Sequence, residues 1–149
     1  MKPEEGIGFY IKRINDYILA DTNERLKKLD LTFSQMHILI YILMHGGRDV
    51  RQRDILHYFN IAHPTVVGLL RRMEKKGLVC VESDPDDRRG NCVTALPKAN
   101  AILEQLKEGQ LHIEALLTKE LTPEQQAELK KILKIIYGGM YGNGEEKQP

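Results

Sequence analysis

The stretch "DPDDRRG", residues 84 to 90, sets Arg88 and Arg89 side by side in a short charged segment. Two guanidinium groups on an exposed turn are suited to phosphate oxygens or to the negative potential of a narrow nucleic-acid groove. Four acids, Glu82, Asp84, Asp86 and Asp87, lie beside them and are expected to orient the guanidinium groups. A solvated surface turn is the plain alternative for such a pair. Net charge does not decide between the two, because the 149-residue chain carries only +1. Its distribution says more: residues 48–98 hold ten Lys/Arg against seven Asp/Glu, and the rest of the chain holds twelve against fourteen. The cations are placed rather than numerous.

Other reactive side chains form weaker patterns. Cys80 and Cys92 fall in two neighbouring β-rich segments, "LVCVE" and "NCVTA", and in one register of the pair would face one another, which would suit a redox switch. Two small strand residues kept reduced is the alternative reading. Five histidines, His37, His45, His57, His63 and His112, show no ligand spacing for a metal ion, so neither a metal nor a cofactor is expected. No Gly-rich phosphate loop, nucleophile elbow or calcium-loop spacing is present, so the chain is not expected to be an enzyme.

The elements that must hold these residues are mostly helical. Residues 6–29 carry Ile7, Tyr10, Ile11, Ile14, Tyr17, Ile18 and Leu29 at helical spacing. In "LTFSQMHILIYILMHGG", Thr32 and Gln35 form a capping box, Leu31 and Met36 suit a hydrophobic staple, and Gly46-Gly47 stop the helix. "DVRQRDILHYF" predicts a short helix with Ile55, Leu56 and Phe59 inward, and "NIA" a tight link. "HPTVVGLLRRMEKK" then has Pro64 in its first turn and Val66, Leu69, Leu70 and Met73 on one stripe, ending at Gly77. The β-rich pair around a Pro/Asp turn predicts a hairpin. Two more helices follow Pro97, the last with Thr122 as cap, Pro123 at its first position and Gln125 completing a box. The tail "GNGEEKQP" is expected to be disordered. The predicted order is α-α-α-α-β-β-α-α, mostly α with a small β-hairpin.

Two short helices joined tightly and followed by a hairpin describe a winged helix-turn-helix. The second helix, residues 62–76, then enters a major groove and the wing, residues 83–90, lies at the minor groove. The face opposite the apolar stripe carries His63, Pro64, Thr65, Val67, Gly68, Arg71, Arg72 and Lys75. Thr65 can bond a base edge, Val67 can touch a thymine methyl, and Gly68 allows close backbone approach. Arg71, Arg72 and Lys75 suit phosphates.

The span from "LTFSQMHIL" to "CVTALPKA" resembles MarR-family transcriptional regulators, most clearly in "TVVGLLRRMEKKGLV" followed by "DPDDRR". The resemblance implies a homodimeric DNA-binding regulator, often a repressor relieved by a small ligand or by oxidation. It implies that Arg89 reaches from the wing toward the minor groove and that Asp87 helps orient the wing. It also implies residues 1–30 and 97–149 as dimerisation helices around a DNA-binding part, residues 31–96. Where that family has a threonine and then a glycine after the second wing strand, this chain has Leu96 and Ala99. A small aromatic or amphipathic effector is expected in a crevice lined by Tyr10, Tyr17, His37 and Tyr41, for which ordinary core packing is the alternative. A twofold dimer would present two recognition helices ~34 Å apart to a pseudo-palindromic operator on double-stranded DNA. A winged-helix module that binds protein through Val67 and Gly68, or a redox-sensing regulator using Cys80 and Cys92, are the other readings. No run of eighteen apolar residues and no secretory core in "MKPEEGIGFY" occur, so a cytoplasmic protein with no membrane partner is expected.

Overall fold

The computed structural model describes residues 6–142. The elements in order are α1 (Ile7–Lys28), α2 (Phe33–Met44), β1 (Val50–Arg51), α3 (Gln52–Phe59), α4 (His63–Lys75), β2 (Val79–Ser83), β3 (Asn91–Ala95), α5 (Pro97–Thr118) and α6 (Pro123–Tyr141). The chain divides into two compact units, one ending at Gly109 and one beginning at Gln110. The expected disorder of the tail concerns residues that, apart from Gly142, lie outside those described. No helix among the described residues is long and apolar enough to cross a membrane.

In the first unit, α2 is the central helix, with Ile38, Leu39 and Ile42 fully buried. Thr32 and Gln35 form the predicted capping box, but Gln35 does more than cap. Its buried Oε1 also accepts a hydrogen bond from Lys76 Nζ at 3.0 Å. The same ammonium group bonds the Asp30 carbonyl, so one cation joins the α1–α2 corner to the end of α4. The α4 stripe is buried as its spacing requires: Val66, Leu69, Leu70 and Met73 face Ile55, Leu39, Val79 and their neighbours in one core. Burying side chains of this size stabilises by roughly 1.5–3 kcal/mol each, which fixes the rotation of α4 about its axis.

Helix ends are set by left-handed residues. After α4, Gly77 has φ +72°, and its N–H bonds Glu74 O while Leu78 N–H bonds Met73 O, the Schellman pattern. The same pattern closes α1 at Asp30 (φ +52°) and α3 at Asn60 (φ +50°), where glycine is absent. Asparagine and aspartate tolerate this region better than other side chains, at some cost.

The helix expected over "DVRQRDILHYF" starts later than its sequence suggests. Val50 and Arg51 are a strand, paired antiparallel with Val93 and Cys92, so the hairpin becomes a three-stranded sheet ordered β1-β3-β2. Val50 is β-branched and buried, and the free edge of β3 offers it hydrogen bonds that a first helical turn would leave unmade.

Cys80 and Cys92 do not face one another. Cys80 is opposite Thr94 and Cys92 is opposite Glu82, a diagonal relation two residues out of step. Diagonal partners stand about 7–8 Å apart, beyond the usual Cα separation of a disulfide. The Cys80 thiol is also pushed above its ordinary pKa by burial, by the Glu82 charge and hydrogen bond, and by Glu74. Cys92 is raised by burial and by the charges of Asp84 and Asp49, with Arg51 opposing. Both directions favour the unreactive thiol over the thiolate.

In the second unit, Thr122 caps α6 through a full capping box with Gln125, and Pro123 occupies the first turn. No residue of α6 is buried.

Two outcomes test this account. Asn60→Val should lower the urea-derived unfolding free energy by about 1–2 kcal/mol, and Asn60→Gly should move it by less than about 0.5 kcal/mol. Iodoacetamide labelling of Cys80 and Cys92, followed by mass spectrometry against pH, should lag a free thiol at neutral pH. It should rise only beyond the ordinary thiol range of about 8.5.

Candidate nucleic-acid interface

Because its opposite stripe is buried, α4 turns a defined set of side chains outward. His63, Pro64, Thr65, Val67, Arg71, Arg72 and Lys75 are all exposed, and Gly68 is half-buried. Pro64 lies in the first turn, where its missing N–H leaves no bond unmade. The Arg72 guanidinium lies over Gly68, 3.7 Å from where a Cβ would stand. A larger residue at 68 would therefore meet an arginine as well as any approaching ligand.

The cations differ sharply in how they are engaged. Arg71, Arg72 and Lys75 have no ion pair among the described residues, and neither do Arg88 and Arg89. Lys76 and Arg51 are committed. The Arg51 Nε stands 3.3 Å from Asp84 Oδ2 and its guanidinium 3.5 Å from Asp86 Oδ2. The acids around the arginine pair thus do not orient Arg88 and Arg89 as expected. Two of them hold Arg51, which reaches the turn from β1.

The turn itself is tightly bonded. Asp84, 5% exposed, receives Asp86 N–H on its Oδ1 at 2.9 Å, and its own N–H bonds Gly90 O at 2.9 Å. Gly90 N–H returns a bond to Asp87 O. Asp87 Oδ1 accepts Arg89 N–H at 3.0 Å, so this carboxylate fixes the backbone at Arg89 and leaves the guanidinium free. A second anchor comes from α4, where Glu74 Oε2 accepts Val81 N–H of β2 at 2.8 Å. Helix α4 and the hairpin are therefore bonded directly as well as through the core.

Four residues of this arrangement have no signature in the sequence taken alone: Arg51, Gln52, Glu74 and Asn91. Gln52 is buried, and its amide lies between His63 and Asn91. Their partners are distant in the chain, and only the folded backbone brings them together.

The four candidate effector-binding residues are not gathered. Tyr10 and Tyr17 are exposed on α1, and His37 is half-buried against Phe33. Tyr41 is buried in an aromatic group with His45, Tyr58 and Phe59, with ring centroids 4.0, 4.5 and 5.7 Å away. Its hydroxyl pKa is raised by burial, then by the Asp54 and Tyr58 charges. The described ring contacts join no two of the four. Among the described residues no three His, Cys, Asp or Glu side chains converge as a metal site would need.

Comparison with known proteins agrees with this geometry. The MarR family model matches residues 29–90. The uncharacterized HTH-type transcriptional regulator YfiV of Bacillus subtilis is 31% identical over 128 residues, covering 85% of this chain and 78% of that protein. The multiple antibiotic resistance protein MarR of Salmonella typhimurium is 32% identical over 117 residues, 76% of this chain and 78% of that protein. The S. aureus MepR–DNA complex has a similar fold, with TM-score 0.75 at 23% identity over 89% of this chain and 98% of that one. The fold found here and the identity to YfiV and MarR lead to one conclusion: this chain belongs to the MarR family and is a winged helix-turn-helix transcriptional regulator, not an enzyme.

Proposed function

We propose that the protein acts as a homodimer on a pseudo-palindromic duplex, with α4 in the major groove and the 84–90 turn at the minor groove. The observation that carries this reading is the selective freedom of five cations. Arg71, Arg72, Lys75, Arg88 and Arg89 are exposed and unpaired among the described residues, whereas Arg51 and Lys76 are tied into the fold. Unpaired cations release counterions from DNA without first breaking an internal bond. Thr65 and Val67, exposed on the same helix, supply hydrogen-bonding and apolar contacts to base edges. A protein of similar fold, S. aureus MepR, forms a complex with DNA, which supports DNA as the partner.

Dimerisation is supported by apolar surface left uncovered in the single chain. On α6, Leu129, Ile132, Leu133, Ile135, Tyr137 and Met140 are between 41% and 76% exposed. On α1 the same holds for Ile7, Tyr10, Ile11, Ile14 and Tyr17. Each helix thus leaves several large apolar side chains uncovered, as an unpartnered interface does. Residues 1–30 and 97–149 are accordingly assigned to dimerisation and 31–96 to DNA binding. Promoter occlusion, relieved when a small aromatic or amphipathic ligand favours a different spacing of the DNA-binding parts, completes the reading.

Three measurements test it, all using a duplex enriched from a random pool by the wild-type protein. Arg89→Ala should weaken binding to that duplex about ten-fold in a gel shift, as loss of one good groove contact does. Arg71→Ala should weaken all sequences alike and reduce the slope of log K against log salt by about 0.9. Leu133→Glu should convert a dimer to a monomer in analytical ultracentrifugation, with loss of tight binding. Unchanged affinity in Arg89→Ala, or no sequence enriched, would overturn the DNA-docking proposal.

A further inference from the structure

Gln52 stands in the first turn of α3, 5% exposed, with its side-chain amide between two DNA-facing elements. Its Nε2 is 3.4 Å from His63 Nε2, at the start of α4. Its Oε1 accepts Asn91 Nδ2–H at 3.4 Å, at the start of β3 where the wing rejoins the sheet. No buried side-chain polar atom among the described residues lacks a partner, and Gln52 meets that condition through these two bonds. A buried amide deprived of them would leave its donor and acceptor unsatisfied.

The chemistry of the first bond determines the form of the imidazole. With the amide oriented this way its nitrogen donates, which calls for His63 Nε2 as acceptor and places the proton of a neutral ring on Nδ1. His63 is exposed, and its Nδ1 has no partner among the described residues. The first turn of the recognition helix thus carries a hydrogen-bond donor of fixed identity, facing away from its anchor. Such a donor matches purine N7, guanine O6, thymine O4 or a phosphate oxygen, and is mismatched with the amino groups of cytosine and adenine.

We infer that Gln52 is a positioning residue that holds His63 as an Nδ1–H donor toward DNA and couples it, through Asn91, to the wing. This rests on the DNA-binding reading above for the identity of the acceptor, but not for the state of the ring. Because one amide serves both neighbours, a change of wing position that pulls Asn91 away frees Gln52 to rotate. The tautomer of His63 then depends on wing placement. Reading by α4 and docking of the wing become one event rather than two independent ones.

The ring state is measured on the free full-length protein by long-range proton–nitrogen NMR with labelled histidine, the His63 signals being assigned through their absence in His63→Ala. The wild type should show a protonated Nδ1 and an unprotonated Nε2. In Gln52→Met, which keeps the side-chain length and removes the amide, the ring should relax toward the Nε2–H form that free imidazole prefers. In Gln52→Glu, whose carboxylate only accepts, the proton must move onto Nε2. A wild-type ring protonated at Nε2, or a tautomer indifferent to Gln52→Met and Gln52→Glu, overturns the assignment whether or not the protein binds DNA. A double-mutant cycle on the enriched duplex reads the coupling. His63→Ala should cost about ten-fold, Gln52→Met a few-fold, and the double variant no more than His63→Ala alone. Multiplicative losses, with thermal unfolding unchanged, would show that Gln52 does not act through His63.

Discussion

One face of α4 cannot be turned away from the core. Val66, Leu69, Leu70 and Met73 recur at helical spacing and are all buried, so any rotation of the helix would bring several of them into water. Everything that faces outward follows from that constraint. His63, Thr65, Val67, Arg71, Arg72 and Lys75 are presented because their neighbours are held, and no contact of their own is needed to orient the helix. Gly77 stops the helix where the chain must turn into β2, and Glu74 then bonds Val81 across that turn. The outward face of α4 is thus a by-product of core packing, which leaves Arg71, Arg72 and Lys75 without an ion pair among the described residues.

The wing obeys a different rule, electrostatic rather than apolar. Asp84 is taken almost entirely out of water and is compensated by Arg51 and by the Asp86 N–H. A buried carboxylate with those partners has a narrow choice of positions, since any displacement strands a charge. Asp87 and Gly90 complete the turn with backbone bonds. The division of labour among the charges is clear: acids and Arg51 build the turn, and the guanidinium groups of Arg88 and Arg89 take no part in holding it.

Much of this was legible in the residue order, and what was not has a physical reason. Apolar spacing gives the α4 stripe, and the Thr32–Gln35 and Thr122–Gln125 boxes mark two helix starts, because these signals are local and repeat within a turn or two. Val50–Arg51 is too short to show a period, and its strand character comes from the edge of β3 far along the chain. Arg51 with Asp84, and Gln52 with His63 and Asn91, are likewise long-range pairs whose members look like ordinary surface residues in isolation. The open question of the cysteine pair has the same root. Register is set by the Asp84–Gly90 closing bond, and a shift of two residues separates facing thiols from diagonal ones.

The two pairings of β3 differ in how much chain each one closes. The β2–β3 hairpin joins strands separated by one short turn, and closing that loop costs little entropy. Val50 reaches Val93 only across α3, α4 and the whole hairpin, a much longer loop whose closure costs more chain entropy. Arg51 is next to Val50, so the cation that compensates the buried Asp84 is supplied through that same long-range pairing. The turn that carries Arg88 and Arg89 therefore draws one of its anchors from a strand that precedes the whole helix-turn-helix in the chain.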